Sequence, residues 1–479
     1  MYTCTVSYRE RKKIKTKITH VYNATKYQNK NLHKKINMAA ITENLSNLKV
    51  SGDEEKEKIK MHPYGINVIG VKQVPKSKVS TLPKAEERDV NTLLEKYKDS
   101  IEELKIKCKD VLSLNGNDPG IDLIYDDLFL LRYILSKKNN LKKAEEAIRI
   151  CCKWRADPEV REQMLKPVAD NTWTEAPVYK SFCKHMVFGV LGSQVDGGIL
   201  FYLRDGLGEP NAVFESLSRD DFMKIGFQSR EYVYRWCDTE TRRLGRFVKA
   251  MFIIDMNKVK LSQMPDSRVQ KCYAELGEFS ENNNPQMVDK YLIVNAPSFI
   301  PWFIKIIGPL FPRSMMEKFD IFPSTPNLGE SEFGKTWINL EYLPDYLGGT
   351  FPTKDLPKEL SGELVQRGDG DLNKITIGRR SRKYCEVMTP TKGKVDYKFA
   401  LVSKGVYLTA MFHKNPKEVN KEQESPDQIV IQEKLKISAE NGVYSGVWEV
   451  PESGILIVEL SNAHSRFTGK TVKWNLDFI

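Results

Sequence analysis

The sequence predicts an α/β domain built on a mostly parallel sheet, preceded by a small helical subdomain and followed by an all-β sandwich. Three observations predict it. Apolar residues step by three and four in the N-terminal third, short wholly apolar runs alternate with helical stretches in the middle, and helical periodicity vanishes beyond residue 374.

The elements follow in order. Residues 1–37 hold ten Lys/Arg against Glu10, so +9 of the chain's +11 net charge sits there. Residues 1–60 are therefore expected to be a basic, disordered tail able to touch anionic membrane, and Met38-Ala39-Ala40 offers an alternative start. Because the rest of the chain is nearly neutral, its charge does not predict a nucleic-acid partner. Over 61–160, Leu94, Tyr97, Ile101, Leu104, Cys108 and Val111 mark one amphipathic helix. A second run starts at Asp126, and a third, with Leu141, Ala144, Ile148 and Cys151, ends near Trp154-Arg155.

Over 161–353, the runs Ile199 to Leu203, Met251 to Asp255, Tyr291 to Val294 and Phe319 to Phe322 fit strands covered on both faces. Helical stretches from Asp220 to Arg243 and from Asp266 to Asn282 lie between them, as βαβ units require. Glycines and charges over 354–374 read as a linker. Beyond it, over 375–479, seven alternating or apolar runs separated by turn residues read as an antiparallel sandwich.

Catalytic signatures are missing. Gly329 to Thr336 satisfies the phosphate-loop pattern, yet Pro323 and Pro326 separate it from the preceding strand, and Glu330 and Glu332 would face the polyphosphate. Gly206-Leu207-Gly208 lacks the third glycine of a dinucleotide fingerprint, and neither G-x-S-x-G nor H-E-x-x-H occurs. The eight cysteines are scattered, without metal-ligand spacing, and read as reduced buried thiols. No enzyme, metal or cofactor is predicted. The chain lacks an 18-residue apolar run and an apolar N-terminal signal, so the expectation is a cytoplasmic protein.

One segment stands out. From Pro297 to Pro312, Phe299, Trp302, Phe303, Ile306 and Leu310 recur at helical spacing, and Ile300, Ile304 and Ile307 widen the stripe beyond one packed face. Alone, such a stripe reads as a core helix.

The order of motifs changes that reading. Asp126-Asp127-x-x-Leu130-Leu131-Arg132-Tyr133, Lys137-Lys138, Ile254-Asp255, Tyr291-Leu292-Ile293-Val294-Asn295-Ala296-Pro297, Gly308-Pro309 and Leu343-Pro344-x-x-Leu347-Gly348-Gly349-Thr350 together resemble the CRAL-TRIO lipid-exchange family over about 120–352. The C-terminal region, with Asn462-x-x-Ser465-x-Phe467-x-x-Lys470-x-Val472, resembles a GOLD domain. That pairing, with Thr241-x-x-Leu244-Gly245-Arg246, looks like the supernatant-protein-factor or tocopherol-associated branch.

The resemblance implies a lipid-binding α/β domain whose pocket is closed by a mobile helix, placing Phe299, Trp302, Phe303, Ile306, Ile307 and Leu310 on the lid. It implies a headgroup site at Lys137, Lys138, Gln286 and Lys318. Gln286 departs from the family's Glu, which leaves phosphatidylinositol specificity open, and the lysines also read as ordinary solvated surface. The implied function is non-covalent exchange of a phospholipid or isoprenoid between cytosol and membranes. Transient peripheral association follows, with membrane phospholipid and a membrane-associated protein contacted by the GOLD domain as partners. A regulatory adaptor using both domains for protein contacts is the alternative.

Overall fold

A computed structural model describes residues 74–479, apart from 76–78, 80–81, 83–84, 119, 261–262, 323–327, 366–371, 403 and 416–427. The expected basic tail over 1–60 lies outside the described residues.

After a single turn at Ala85–Arg88, the helical region runs into α1 (Val90–Lys96), whose Asp89 cap accepts from the Thr92 amide at 2.7 Å. It continues with α2 (Lys98–Lys107), α3 (Asp127–Ser136) and α4 (Leu141–Ala156), the last two capped by Asp126 and Asn140. Their apolar stripes join the sheet in one continuous hydrophobic core. Arg132 explains part of the Leu-Leu-Arg motif. It is fully buried, pairs with Asp238 at 3.1 Å and donates to the Thr241 hydroxyl at 3.1 Å.

The sheet runs in the order β1 (Phe188–Ser193), β2 (Ile199–Arg204), β3 (Ala250–Asp255), β4 (Val288–Val294), β5 (Phe319–Ile321). β2 to β5 are parallel and β1 is antiparallel to β2, so the sheet is mixed. Two long helices make the crossovers. α5 (Arg219–Leu244), capped by Ser218, ends at Gly245 with φ 68°, and α6 (Ser267–Asn283) is capped by Asp266. The helix α7 (Ile300–Ile307) lies between β4 and β5.

Other family-motif residues are structural hinges. Asn295, at φ 54°, donates to Asp255 across 2.8 Å, locking the end of β4 to the end of β3. Gly349 lies so close to Leu343 that an added Cβ would stand 1.8 Å from its carbonyl oxygen. The phosphate-loop look-alike is explained similarly. Ser331 caps α8 (Glu332–Trp337) by accepting from the Gly334 amide at 2.9 Å, and a Cβ on Gly334 would stand 1.6 Å from the Leu328 carbonyl oxygen. Its glycines serve backbone packing.

The C-terminal region comprises β6 (Asn373–Ile377), β7 (Arg382–Thr389), β8 (Gly393–Leu401), β9 (Gly405–His413), β10 (Gln428–Ser438), β11 (Tyr444–Val450), β12 (Gly454–Ser461) and β13 (Lys470–Phe478). They form two four-stranded antiparallel sheets, ordered β10-β9-β12-β7 and β11-β8-β13-β6, around Phe399, Phe412, Trp448 and Leu456. Fully buried Asn462 ties the loop before β13 to the Gly378 and Thr468 carbonyls, each at 3.0 Å. The region docks on the α/β domain through the pairing of Lys473 with Glu215 at 2.5 Å and a bridge between Ser218 and Gly442.

Candidate functional site

Five strands place five aromatic rings in one row on a single face of the sheet. Phe188, Phe201, Phe252, Tyr291 and Phe319 come one from each strand, with successive centroids 5.9, 5.2, 5.2 and 4.7 Å apart. Because side chains alternate along a strand, the parallel register that pairs Phe201 with Phe252 and Phe252 with Tyr291 aligns them. Together they floor a cavity of about 450 Å³. Phe222 and Ile225 of α5 and Leu276 of α6 wall it. Gly226 lets these helices approach, since a Cβ there would stand 2.6 Å from the Leu276 side chain. The volume and apolar lining suit a small hydrophobic molecule.

Polar groups gather at one end. Lys138, Gln286, Lys318 and Glu281 all line the cavity. Lys138 and Gln286 hold φ of 51° and 59°, in the turns that follow α3 and α6. Burial lowers the Lys318 ammonium below its usual range, against the opposing pull of Glu281 and Asp289. Lys137 points elsewhere. Its ammonium donates to the Glu281 backbone carbonyl at 2.9 Å and pairs with the carboxylate at 3.3 Å, fastening α3 to α6.

Deeper in the wall stand Arg230 and Asp205. Burial, reinforced by neighbouring Asp255, raises the Asp205 carboxyl to about 6. Burial lowers the Arg230 guanidinium, while the hydroxyls of Tyr291 and Tyr273 oppose that shift.

The match to a family model falls on the same segment. Residues 184–349 match the model of the CRAL/TRIO domain. The chain carries a CRAL/TRIO domain. That domain family is known for lipid binding and transfer. A CRAL-TRIO domain-containing protein of Caenorhabditis elegans is 23% identical over 247 residues, covering 51% of this chain and 32% of the relative. The protein real-time of Anopheles gambiae is 24% identical over 230 residues, covering 48% of this chain and 32% of the relative. The matched segment thus spans about a third of each curated relative. The crystal structure of Sfh5 superposes with a TM-score of 0.33 at 12% identity, over 53% of this chain and 94% of that one.

Within the CRAL/TRIO domain, α7 caps the far end of the cavity face. Ile300 is 1% exposed and packs with Ile293 and Ala296, joined by Phe299, Ile304, Ile254 and Ile321. The outward side is apolar too. Trp302, Ile306 and Leu310 are 58%, 54% and 50% exposed, and Phe303 and Ile307 are half-buried. None of the six expected lid residues lines the cavity itself, whereas Phe311, Ser314 and Met315, just after them, do.

Among the described residues no cluster of His, Cys, Asp and Glu is placed to hold a metal ion, and the seven described cysteines are free and buried. Burial lowers His185 to about 4, and its Nε2 meets the Ser216 hydroxyl at 2.5 Å; neither residue lines the cavity. No helix among the described residues is long and apolar enough to cross a membrane. The aromatic row and Arg230 were missed by sequence reading. Phe201, Phe252, Tyr291 and Phe319 were visible as strand residues and Phe188 was not, the alignment of the row depends on register, and a lone arginine in a helix carries no signal.

Proposed function

We propose that the protein binds one phospholipid or comparably hydrophobic molecule in this cavity and exchanges it non-covalently between cytosol-facing membranes. The observation that carries this reading is the floor of five aromatic rings under a cavity with charged groups at one end and apolar walls elsewhere. Two ~16-carbon tails lose on the order of 25 kcal/mol in water, at about 0.8 kcal/mol per CH₂, so free diffusion is negligible and enclosure removes the penalty.

The exposed side of α7 supports the membrane step. Trp302, Ile306 and Leu310 already face outward, and at about half exposure each would gain on the order of 1 kcal/mol by entering a bilayer. With its inner side on the sheet, α7 acts as the lid, and contact with membrane favours its opening. Lys138 and Lys318 receive a headgroup phosphate, while Gln286 offers hydrogen bonds without charge. The C-terminal sheets, similar to a GOLD domain, serve as the contact module for a membrane or a membrane-associated protein.

The test is mass spectrometry of lipid extracted from the purified 479-residue chain, paired with vesicle-to-vesicle transfer of labelled phospholipid. About one lipid per chain and accelerated transfer are expected. A protein that carries no lipid and leaves transfer at its spontaneous rate overturns the proposal.

A further inference from the structure

Helix α5 carries Arg219, Arg230, Arg235, Arg242 and Arg243, and four of them have a carboxylate partner. Arg219 pairs with Glu275, Arg235 with Glu231 at 2.7 Å, Arg242 with Asp238 at 2.7 Å and Arg243 with Glu240 at 2.5 Å. The exception is the arginine that lines the cavity. Arg230 Nε donates to the Ser280 hydroxyl at 3.0 Å, and Nη1 donates to the Gly226 carbonyl at 3.0 Å. Among the described residues no carboxylate pairs with it. Asp205, the other deep charge, has Asp255 and Tyr273 as its neighbours, and no ion pair links it to Arg230.

A guanidinium has five N–H donors, so these two bonds leave three, including both on Nη2, for an acceptor in the cavity. A partly buried cation whose free donors face an apolar-lined cavity favours an anion there. We infer that the cavity takes an acidic lipid whose anionic oxygens are shared between Arg230 and the lysines of the polar end, its hydrocarbon lying along the aromatic row. A carboxylate and a phosphodiester share the required chemistry, since each presents two oxygens and one charge to the planar fork. This inference rests on the carrier reading above and adds the class of ligand to it.

The experiment uses the full chain after lipid removal, with oleate, dioleoyl phosphatidylglycerol and uncharged oleyl alcohol as probes. Arg230→Gln should weaken the acidic ligand by roughly 10- to 100-fold, the range for a charged hydrogen bond of about 1.5–3 kcal/mol, and leave oleyl alcohol within about twofold. A loss seen with oleate identifies a fatty acid as the source of the anion, and one confined to phosphatidylglycerol identifies a phospholipid. Equal changes for charged and uncharged probes, or no change, overturn the inference while leaving the carrier reading intact. If no probe, neutral ones included, binds the wild-type protein, the carrier reading itself fails.

Melting of the lipid-free protein guards against misfolding. Arg230→Met should raise Tm, because it removes an uncompensated charge, whereas a purely structural arginine predicts a fall.

Discussion

Arg155 and Glu231 meet in the interior with side chains 2% and 1% exposed, Nη2 lying 2.5 Å from Oε2 and Nη1 2.9 Å from Oε1. Arg235 donates to the same carboxylate at 2.7 Å. Burial alone would raise the Glu231 carboxyl, but the two guanidiniums outweigh it and hold it at about 2. The pair fastens α4 to the helix that walls the cavity.

Glu231→Gln should therefore cost about 3–5 kcal/mol, because it strands two buried cations. The carboxyl is depressed on folding, so its contribution is present above the unfolded value of 4.5 and is lost as pH falls toward 2. Urea unfolding at pH 7 and pH 3 measures both, with the gap between variant and wild type narrowing at the lower pH.

Local pattern revealed most of the α/β scaffold. β2 to β5 are short, mostly apolar runs, and α4, α5 and α6 keep a helical stripe, so each was readable from its own residues. β1 was hidden because Gly189 and Gly192 read as turn signals. They are there for packing, since a Cβ on Gly192 would stand 2.2 Å from the Tyr342 ring. β7 was hidden because only Cys385 and Thr389 are buried along it. Of the residues expected at the headgroup site, Lys138, Gln286 and Lys318 line the cavity, whereas α3 ends so that Lys137 turns to Glu281.

That offset gives the next prediction. Lys138→Ala with Lys318→Ala should weaken binding of an anionic phospholipid about 10-fold and spare a neutral isoprenoid. Lys137→Ala should instead lower the melting temperature with little effect on affinity, as it loses the link to α6. Equal affinity losses for the anionic and neutral ligands would remove the headgroup role from Lys138 and Lys318.

The two sides of α7 should separate stability from transfer. Trp302→Ser with Ile306→Ser alters exposed residues and should shift stability by no more than about 0.5 kcal/mol, yet it should slow vesicle-to-vesicle transfer at least 10-fold. Ile300→Ser, at a position 1% exposed, should cost about 2–4 kcal/mol of stability. Unchanged transfer in the double variant would mean that the outward side does not meet the bilayer.

Asp205 sets the last expectation. Its carboxyl is raised by burial, and further by Asp255, from 3.8 to about 6, so the folded protein binds a proton that the unfolded chain releases. For a raised acid the folded state gains from low pH, and stability falls as pH climbs from about 4 through about 6. Asp205→Asn keeps the neutral shape at every pH. The lipid-free variant should be more stable than wild type at pH 7, by on the order of 1–2 kcal/mol once the partly buried side chain is discounted for screening. The gain should shrink as pH falls and approach zero only well below 3.8, where the wild-type carboxyl is protonated in both states. Thermal melting across that range decides it: a gain independent of pH would mean that the substitution acts through packing rather than through the charge.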